Sequence, residues 1–420
     1  MTNIFTQAKR IGAFAVFEIL NKVLGFVVGI FLVRTLPTQD YAWYTIGNTM
    51  IGGLASLTAV GVGVGIMSEG GPRFGNLREM GEVVASARKA RILYFLIFAP
   101  VVVIFLSSLL WTSECPPGMI FLFVSILLLF FVIQLNVDIA SNILKLASRQ
   151  NLIQMNGVTG TLSRSLLLAV LWSVAYLNSV TALLSAAAAA VMAYLVILRP
   201  EERKYYKKTE QSDSNLTRKF RIIGYNLMPE TLSAFVMPQI TLFIIAIFAD
   251  VESVASLGAI GRITLLLSIP TAVITSIFIP QMARAQTRKS LWVNWSLAVA
   301  LSFFVAVILM LVTKLYPSSI LYLLGENYAN LENEVFLSVS ITSVAFAFSS
   351  VRSILMAKGW VSYLWVQPII NVISLIVSVP FFELSSLEGV LTMNLVRQGP
   401  PAIFSVIIVF LALRRRKLEI

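Results

Sequence analysis

RPEERKYYKKTEQSDSNLTRKFR, residues 199–221, is the longest strongly polar stretch in a chain that is otherwise apolar. On both sides of it the sequence runs in apolar blocks about 20 residues long, the length at which a helix crosses about 30 Å of hydrocarbon. Six such blocks precede the stretch and six follow it. The expected fold is all-α integral membrane: twelve transmembrane helices in two parallel six-helix bundles around a central cavity. The expected organisation is a first bundle at 1–198, a basic cytoplasmic linker at 199–220 and a second bundle at 221–420.

Composition supports the class. Of the 420 residues, 58% are hydrophobic and 12% charged, whereas soluble domains carry about 45–50% and about 25%. An outer-membrane barrel would show alternating segments of about 10 residues, half the block length seen here. The first block, 11–33, follows Lys9 and Arg10, yet it is too long for a signal-peptide core and has no small-residue cleavage site, so it reads as a retained span. The single Cys115 permits no intrachain disulfide. With no histidine there are no His metal sites, His proton relays or Ser-His catalysis, and no metal or cofactor is expected.

Because no backbone amide goes unpaired in hydrocarbon, each block must be a helix. The blocks fall at 11–33, 44–67, 91–111, 119–142, 152–177, 179–198, 221–248, 256–280, 291–313, 335–357, 360–382 and 389–413. Lys and Arg at the loop ends orient them. With the N-terminus cytoplasmic, the inside segments hold Lys9 and Arg10; Arg73, Arg78, Arg88, Lys89 and Arg91; and Lys145 and Arg149. The central stretch, the loop with Arg284, Arg288 and Lys289, then Lys358, and finally the tail Arg414–Lys417 continue the series. Only Arg34 and Lys314 fall outside. Topology thus accounts for the net charge of +12 without nucleic acid.

The central stretch leaves both halves with the same orientation, and similar turns recur at equivalent places: VRTLPTQDYAWY at 33–44 and AIFADVESVASL at 246–257. Parallel repeats of this kind suit secondary transporters, whose site lies between the halves. Small and polar residues at helical spacing, such as Gly25 and Gly29 or Gly52, Ser56 and Gly63, read as close-packing positions.

Ionisable residues within spans are costlier, about 2.5–3.5 kcal/mol each even on a lenient scale. Lys22, Arg164, Arg262, Arg352 and Arg397 are basic; Glu18, Asp138 and Glu230 are acidic. The interior is therefore net cationic. Glu18 and Lys22, four residues apart, can neutralise each other, and Arg352 and Asp138 stand near enough to span ends to snorkel. Arg164, Arg262 and Arg397 have no acid one turn away, so they need a distant partner, water or an anionic substrate. Glu230, Glu18 and Asp138 are the ion-coupling candidates. No Walker A sequence occurs. The outside loops are short, the longest being near 314–334, which argues against a membrane glycosyltransferase or polymerase with an external catalytic domain. The residues alone indicate a secondary transporter, not an enzyme.

One further signal lies near the start. The run from Lys22-Val23-Leu24-Gly25 through Phe31-Leu32-Val33-Arg34 to Asp40-Tyr41-Ala42-Trp43-Tyr44, followed by Leu57-Thr58-Ala59-Val60-Gly61-Val62-Gly63, resembles the opening of polysaccharide-biosynthesis flippases. These form the Wzx-type branch of the MOP superfamily; where they carry Gly after the tyrosine, this chain has Ala42. The resemblance implies a MATE-like fold with a cationic cavity. It implies translocation of undecaprenyl-pyrophosphate-linked oligosaccharide units, such as O-antigen repeats, from the cytoplasmic to the periplasmic leaflet by ion-coupled alternating access. A bacterial inner-membrane location with both termini cytoplasmic is implied, as are membrane lipids, a polysaccharide polymerase and a chain-length regulator as partners. The alternatives are a MATE-like multidrug or cation antiporter, for which an acidic cavity is expected, and a polyprenyl-dependent glycosyltransferase or polymerase.

Overall fold

The computed structural model describes residues 2–58, 62–207, 209, 212–285, 287–358 and 366–415. Among these, all regular structure is helical. The order is α1 (Thr2–Thr35), α2 (Thr38–Thr58), α3 (Val62–Gly70), α4 (Leu77–Thr112), α5 (Pro117–Leu146), α6 (Gln150–Ser173) and α7 (Ser179–Ala193), which passes through a π turn (Tyr194–Leu198) into α8 (Arg199–Glu202). Next come α9 (Ser214–Phe248), α10 (Val251–Leu265), α11 (Ser268–Arg284), α12 (Arg288–Leu315), α13 (Pro317–Leu324) and a 3-10 turn (Glu326–Tyr328). The chain ends with α14 (Glu332–Lys358), α15 (Val366–Ser378), a 3-10 turn (Val379–Phe381), α16 (Leu387–Val396) and α17 (Gly399–Arg415).

The described part of every expected span falls on one helix or on a helix pair; positions 59–61 of the second and 360–365 of the eleventh lie outside the described residues. Among the described residues, seven elements are long and apolar enough to cross a bilayer, or eight if the two arms of α9, bent by 42° around Pro238, count as one. Proline is the ordinary cause of such a bend. The remaining spans are the broken or more polar ones: α2/α3, α6, α10/α11 and α15. Polar side chains fix several helix starts. Asn76 accepts from the Arg78 and Glu79 amides, Asn178 and Thr181 cap one another reciprocally, and Asp250 accepts from the Ser253 amide. Each satisfies donors that the first helical turn leaves open.

The helices form two compact units, residues 36–247, and residues 1–35 together with 248–420. These differ from the two sequence halves, because the first helix of each half packs with the helices of the other. In one unit α1 lies along α10 and α11. Gly29 lets it approach, since a Cβ there would stand 2.6 Å from Arg262 Cδ. In the other unit α9 packs on α2, α3 and α4. Phe220 fills the space left by Gly65, the Tyr94 hydroxyl occupies the space beside Gly224, and a Cβ at Gly53 would stand 2.8 Å from the Phe235 ring. The Tyr94 hydroxyl donates to the Phe220 carbonyl at 2.9 Å, and Phe105 stacks on Phe243 with centroids 5.0 Å apart.

Lys219 at the start of α9 reaches Glu69 at the end of α3, 3.0 Å away. Lys219, and Arg73 after it, hold the Glu69 carboxyl below its usual range. That contribution is present at neutral pH and is lost as pH falls through the lowered value.

The described residues of the expected basic linker pack against the helices before it. Those at 203–207, 209, 212 and 213 lie as a strap along α4. The Lys207 amide donates to the Leu77 carbonyl at 2.7 Å, Arg88 donates to the Tyr206 hydroxyl at 2.8 Å, and Ser86 donates to the Asp213 carbonyl at 3.3 Å. Tyr205 stacks on Phe74. Gly81 leaves room for the strap, since a Cβ there would collide with the Lys207 carbonyl oxygen.

Candidate functional site

In the 36–247 unit, Arg164 projects from α6 toward α2. Its Nη2 donates to the Tyr44 hydroxyl at 2.8 Å, and the guanidinium carbon is 6.0 Å from the Tyr44 ring centroid. Tyr44 in turn donates to Asn48 Oδ1 at 3.1 Å. Arg164 Nε is buried without a hydrogen-bond partner, which leaves donor capacity on a fixed cation. Asp138 on α5 meets Gln134 Nε2 at 3.4 Å and the Thr58 hydroxyl, with Arg91 and Lys145 near enough to act on its charge. Arg91 is itself held by the Leu135 carbonyl and Asn136 Oδ1, each at 2.8 Å.

In the unit of 1–35 and 248–420, Lys22 Nζ stands 3.8 Å from Glu18 on the same face of α1. Arg262 is in the last turn of α10, only 9% exposed, with its aliphatic stem over Gly29. Arg397 follows the end of α16, where its Nε donates to the buried Asn394 at 2.6 Å. Arg352 on α14 has its Nε buried without a partner. Glu230 lies on α9, but its side chain is outside the described residues. Arg164 therefore belongs to one unit, and Arg262, Arg352 and Arg397 to the other.

Arg262 and Arg397 share a setting. Each stands where a span is interrupted, Arg262 in the helical turn before the break at 266–267 and Arg397 as the first residue of the break at 397–398. Pro270 follows the first break, and Pro400 and Pro401 follow the second. A proline has no amide hydrogen and its ring clashes with the preceding turn, so neither helix runs through unbroken. A cation at a helix end that leaves carbonyls open is favoured by the helix dipole. Interrupted helices whose ends face a polar interior are characteristic of secondary transporters, because non-helical backbone at membrane depth persists only when buried in protein or lining a cavity. The prolines were visible in the sequence, but high hydropathy hides a break within a span.

A second polar cluster was not anticipated. Glu202, at the end of α8, is 1% exposed. Its Oε1 accepts from Tyr194 at 3.2 Å and Tyr206 at 3.5 Å, Arg88 Nη2 lies 3.8 Å away, and Oε2 has no partner. It joins the strap to α4 and the π turn. In a polar stretch nothing marks one glutamate as buried.

This is an all-helical multi-pass membrane architecture, with seven or eight helices among the described residues long and apolar enough to cross a bilayer. No family model and no curated protein matches the chain by sequence; the likeness is in the fold, and the similar structures are MOP-superfamily transporters. An inward-facing multidrug resistance MATE family transporter of that superfamily aligns with TM-score 0.73 and 13% identity, covering 95% of this chain and 96% of the other. The lipid II flippase MurJ in an inward closed conformation aligns with TM-score 0.72 and 9% identity, covering 96% and 87%. The Vibrio cholerae MATE transporter VcmN aligns with TM-score 0.66 and 13% identity, covering 99% of each.

Proposed function

We propose that this protein is a flippase for polyprenyl-diphosphate-linked oligosaccharides in the bacterial inner membrane, with both termini cytoplasmic. The observation that supports the reading is a fold like that of MOP-superfamily transporters in which the buried Arg262 and the half-buried Arg397 stand at the ends of α10 and α16, where two spans are interrupted. A diphosphate needs such partners. Guanidinium groups bond two phosphate oxygens at once and stay charged at any relevant pH. Asp138, Glu230 and Glu18 serve as candidate sites for the coupling ion, and of these Asp138 sits among amide, hydroxyl and cationic groups. Polysaccharide polymerase and chain-length regulator are the proposed partners. The MATE likeness favours a second reading, export of drugs or cations. The excess of basic over acidic residues within the expected spans, five to three, disfavours cationic cargo.

The two readings separate in one experiment. Deleting the gene should remove a surface glycan while its lipid-linked unit accumulates in the cytoplasmic leaflet, and purified protein in vesicles should move that unit between leaflets. Drug efflux lost with the gene, and surface glycan unchanged, would select the exporter. Topology has its own test. Reporter fusions at 115, 178, 252 and 330 should read periplasmic, and those at 80, 208, 286 and 417 cytoplasmic; two discordant fusions would overturn the orientation.

A further inference from the structure

Arg34 and Lys314, the two cations that depart from the charge asymmetry, both stand beside α13. This helix starts at Pro317, with Tyr316 alone between it and the end of α12. Leu321 and Leu324 face inward, while Leu315, Tyr316, Tyr322 and Leu323 are 67%, 61%, 78% and 43% exposed. Four large apolar or aromatic side chains exposed over nine residues, two on α13 and two just before it, would be unfavourable against water. α12 and α14 both cross the membrane, so the short segment joining them cannot leave the bilayer boundary. The exposed side of α13 also continues directly from the exposed Ile308, Leu311 and Val312 of α12, which face lipid.

The cations are placed to match. Arg34, at the end of α1, donates from Nε to the Leu323 carbonyl at 3.0 Å and from Nη2 to the Tyr322 carbonyl at 2.5 Å. These are last-turn carbonyls of α13, which a helix leaves without internal partners. The helix stops there because Gly325 takes φ +104°, a conformation glycine adopts without strain. The Arg34 guanidinium also lies 5.9 Å from the Tyr322 ring centroid. Of its five N–H donors these two bonds use two, and the exposed side chain keeps the others for an anion. Lys314 lies with its ammonium 5.1 Å from the Phe336 ring centroid, at the opposite end of α13. Tyrosine rings flanked by Arg and Lys are the composition that prefers the headgroup layer, aromatic bodies in the ester region and charged tips at phosphate.

We propose that α13 is an interfacial helix seated on the bilayer surface. Its exposed side faces lipid, Arg34 and Lys314 bind lipid phosphates, and Arg34 fastens the end of α1 to this anchor. The partner is the membrane itself, not a second protein.

The test uses full-length protein with Cys115→Ser, which removes the one native thiol. Tyr322→Cys and, separately, Leu323→Cys carry a bimane label, with Asn330→Cys as the reference in the following loop. The protein is reconstituted in phosphatidylethanolamine–phosphatidylglycerol vesicles. Brominated lipids with bromine high on the acyl chain should quench labels at 322 and 323 and leave 330 nearly unchanged, while aqueous iodide should quench 330 several-fold more strongly than 322. With Arg34→Ala added, the iodide response at 322 should rise toward that at 330. Equal iodide quenching at all three sites with no lipid quenching would overturn the proposal, and so would labels at 322 and 323 shielded from both quenchers, which would mean that protein covers the helix.

Discussion

Alanine at Arg262 or Arg397 should abolish movement of the lipid-linked glycan at normal protein levels, and alanine at Arg164 should do the same. Removing one partner of a desolvated charged contact costs about 2–5 kcal/mol, roughly thirty-fold to several-thousand-fold in affinity. The competing explanation is structural. Arg262 and Arg397 stand at helix ends, where any cation complements the dipole, and Arg397 also holds Asn394. Lysine separates the two. It keeps the charge at the helix end and so should restore most thermal stability, but it lacks the planar fork and should restore only part of transport. Transport and unfolding midpoint measured on the same reconstituted variants therefore divide the roles. If lysine restores both alike, or if all three alanine variants transport normally, these arginines do not bind the diphosphate.

Gly81→Ala should destabilise the protein more than alanine at Gly25 or Gly52. At Gly25 and Gly52 an added Cβ meets nothing within 4 Å, so the better helix propensity of alanine, about 1 kcal/mol, should leave those variants neutral or slightly more stable. At Gly81 the Cβ meets backbone, the Lys207 carbonyl, and a carbonyl cannot rotate aside as a side chain can. The strap must lift, which strains or breaks the Lys207 amide bond to Leu77 and the contact of Arg88 with Tyr206. Overpacking costs about 1–3 kcal/mol and a lost hydrogen bond about 1 kcal/mol more. Detergent-solubilised variants compared by unfolding midpoint give the order directly. A Gly81→Ala midpoint at or above that of Gly25→Ala would mean that the strap does not bear on α4 there.

Hydropathy alone located the seven or eight helices that, among the described residues, are long and apolar enough to cross a bilayer, because the need to pair each backbone amide in hydrocarbon leaves the chain few choices. What it did not locate were the ends. α4 begins at Leu77 and α9 at Ser214, well before the apolar blocks at 91 and 221, since polar helix continues beyond the bilayer. It also treated the spans containing Arg262 and Arg397 as continuous, although Pro270 and Pro400 marked the interruptions. Which side chains meet was largely illegible. Arg164 and Tyr44 are 120 positions apart, and no periodicity within either helix names the other. The partition into units was hidden for a similar reason. A repeat in sequence suggests that each half packs with itself, whereas the packing of α1 and α9 depends on small residues, Gly29 for one and Gly53, Gly65 and Gly224 for the other, whose counterparts lie far along the chain.

The placement of α1 bears on how the protein is made. This helix leaves the ribosome long before α10 and α11, against which it packs and which begin only at Val251 and Ser268. Through most of synthesis α1 waits in the bilayer without the surface it will finally occupy. A lone charge on such a helix would stand unpaired throughout that interval. Glu18 and Lys22, one turn apart and 3.8 Å from each other, form a pair that needs no later helix, so the segment can be inserted early and held until its neighbours arrive.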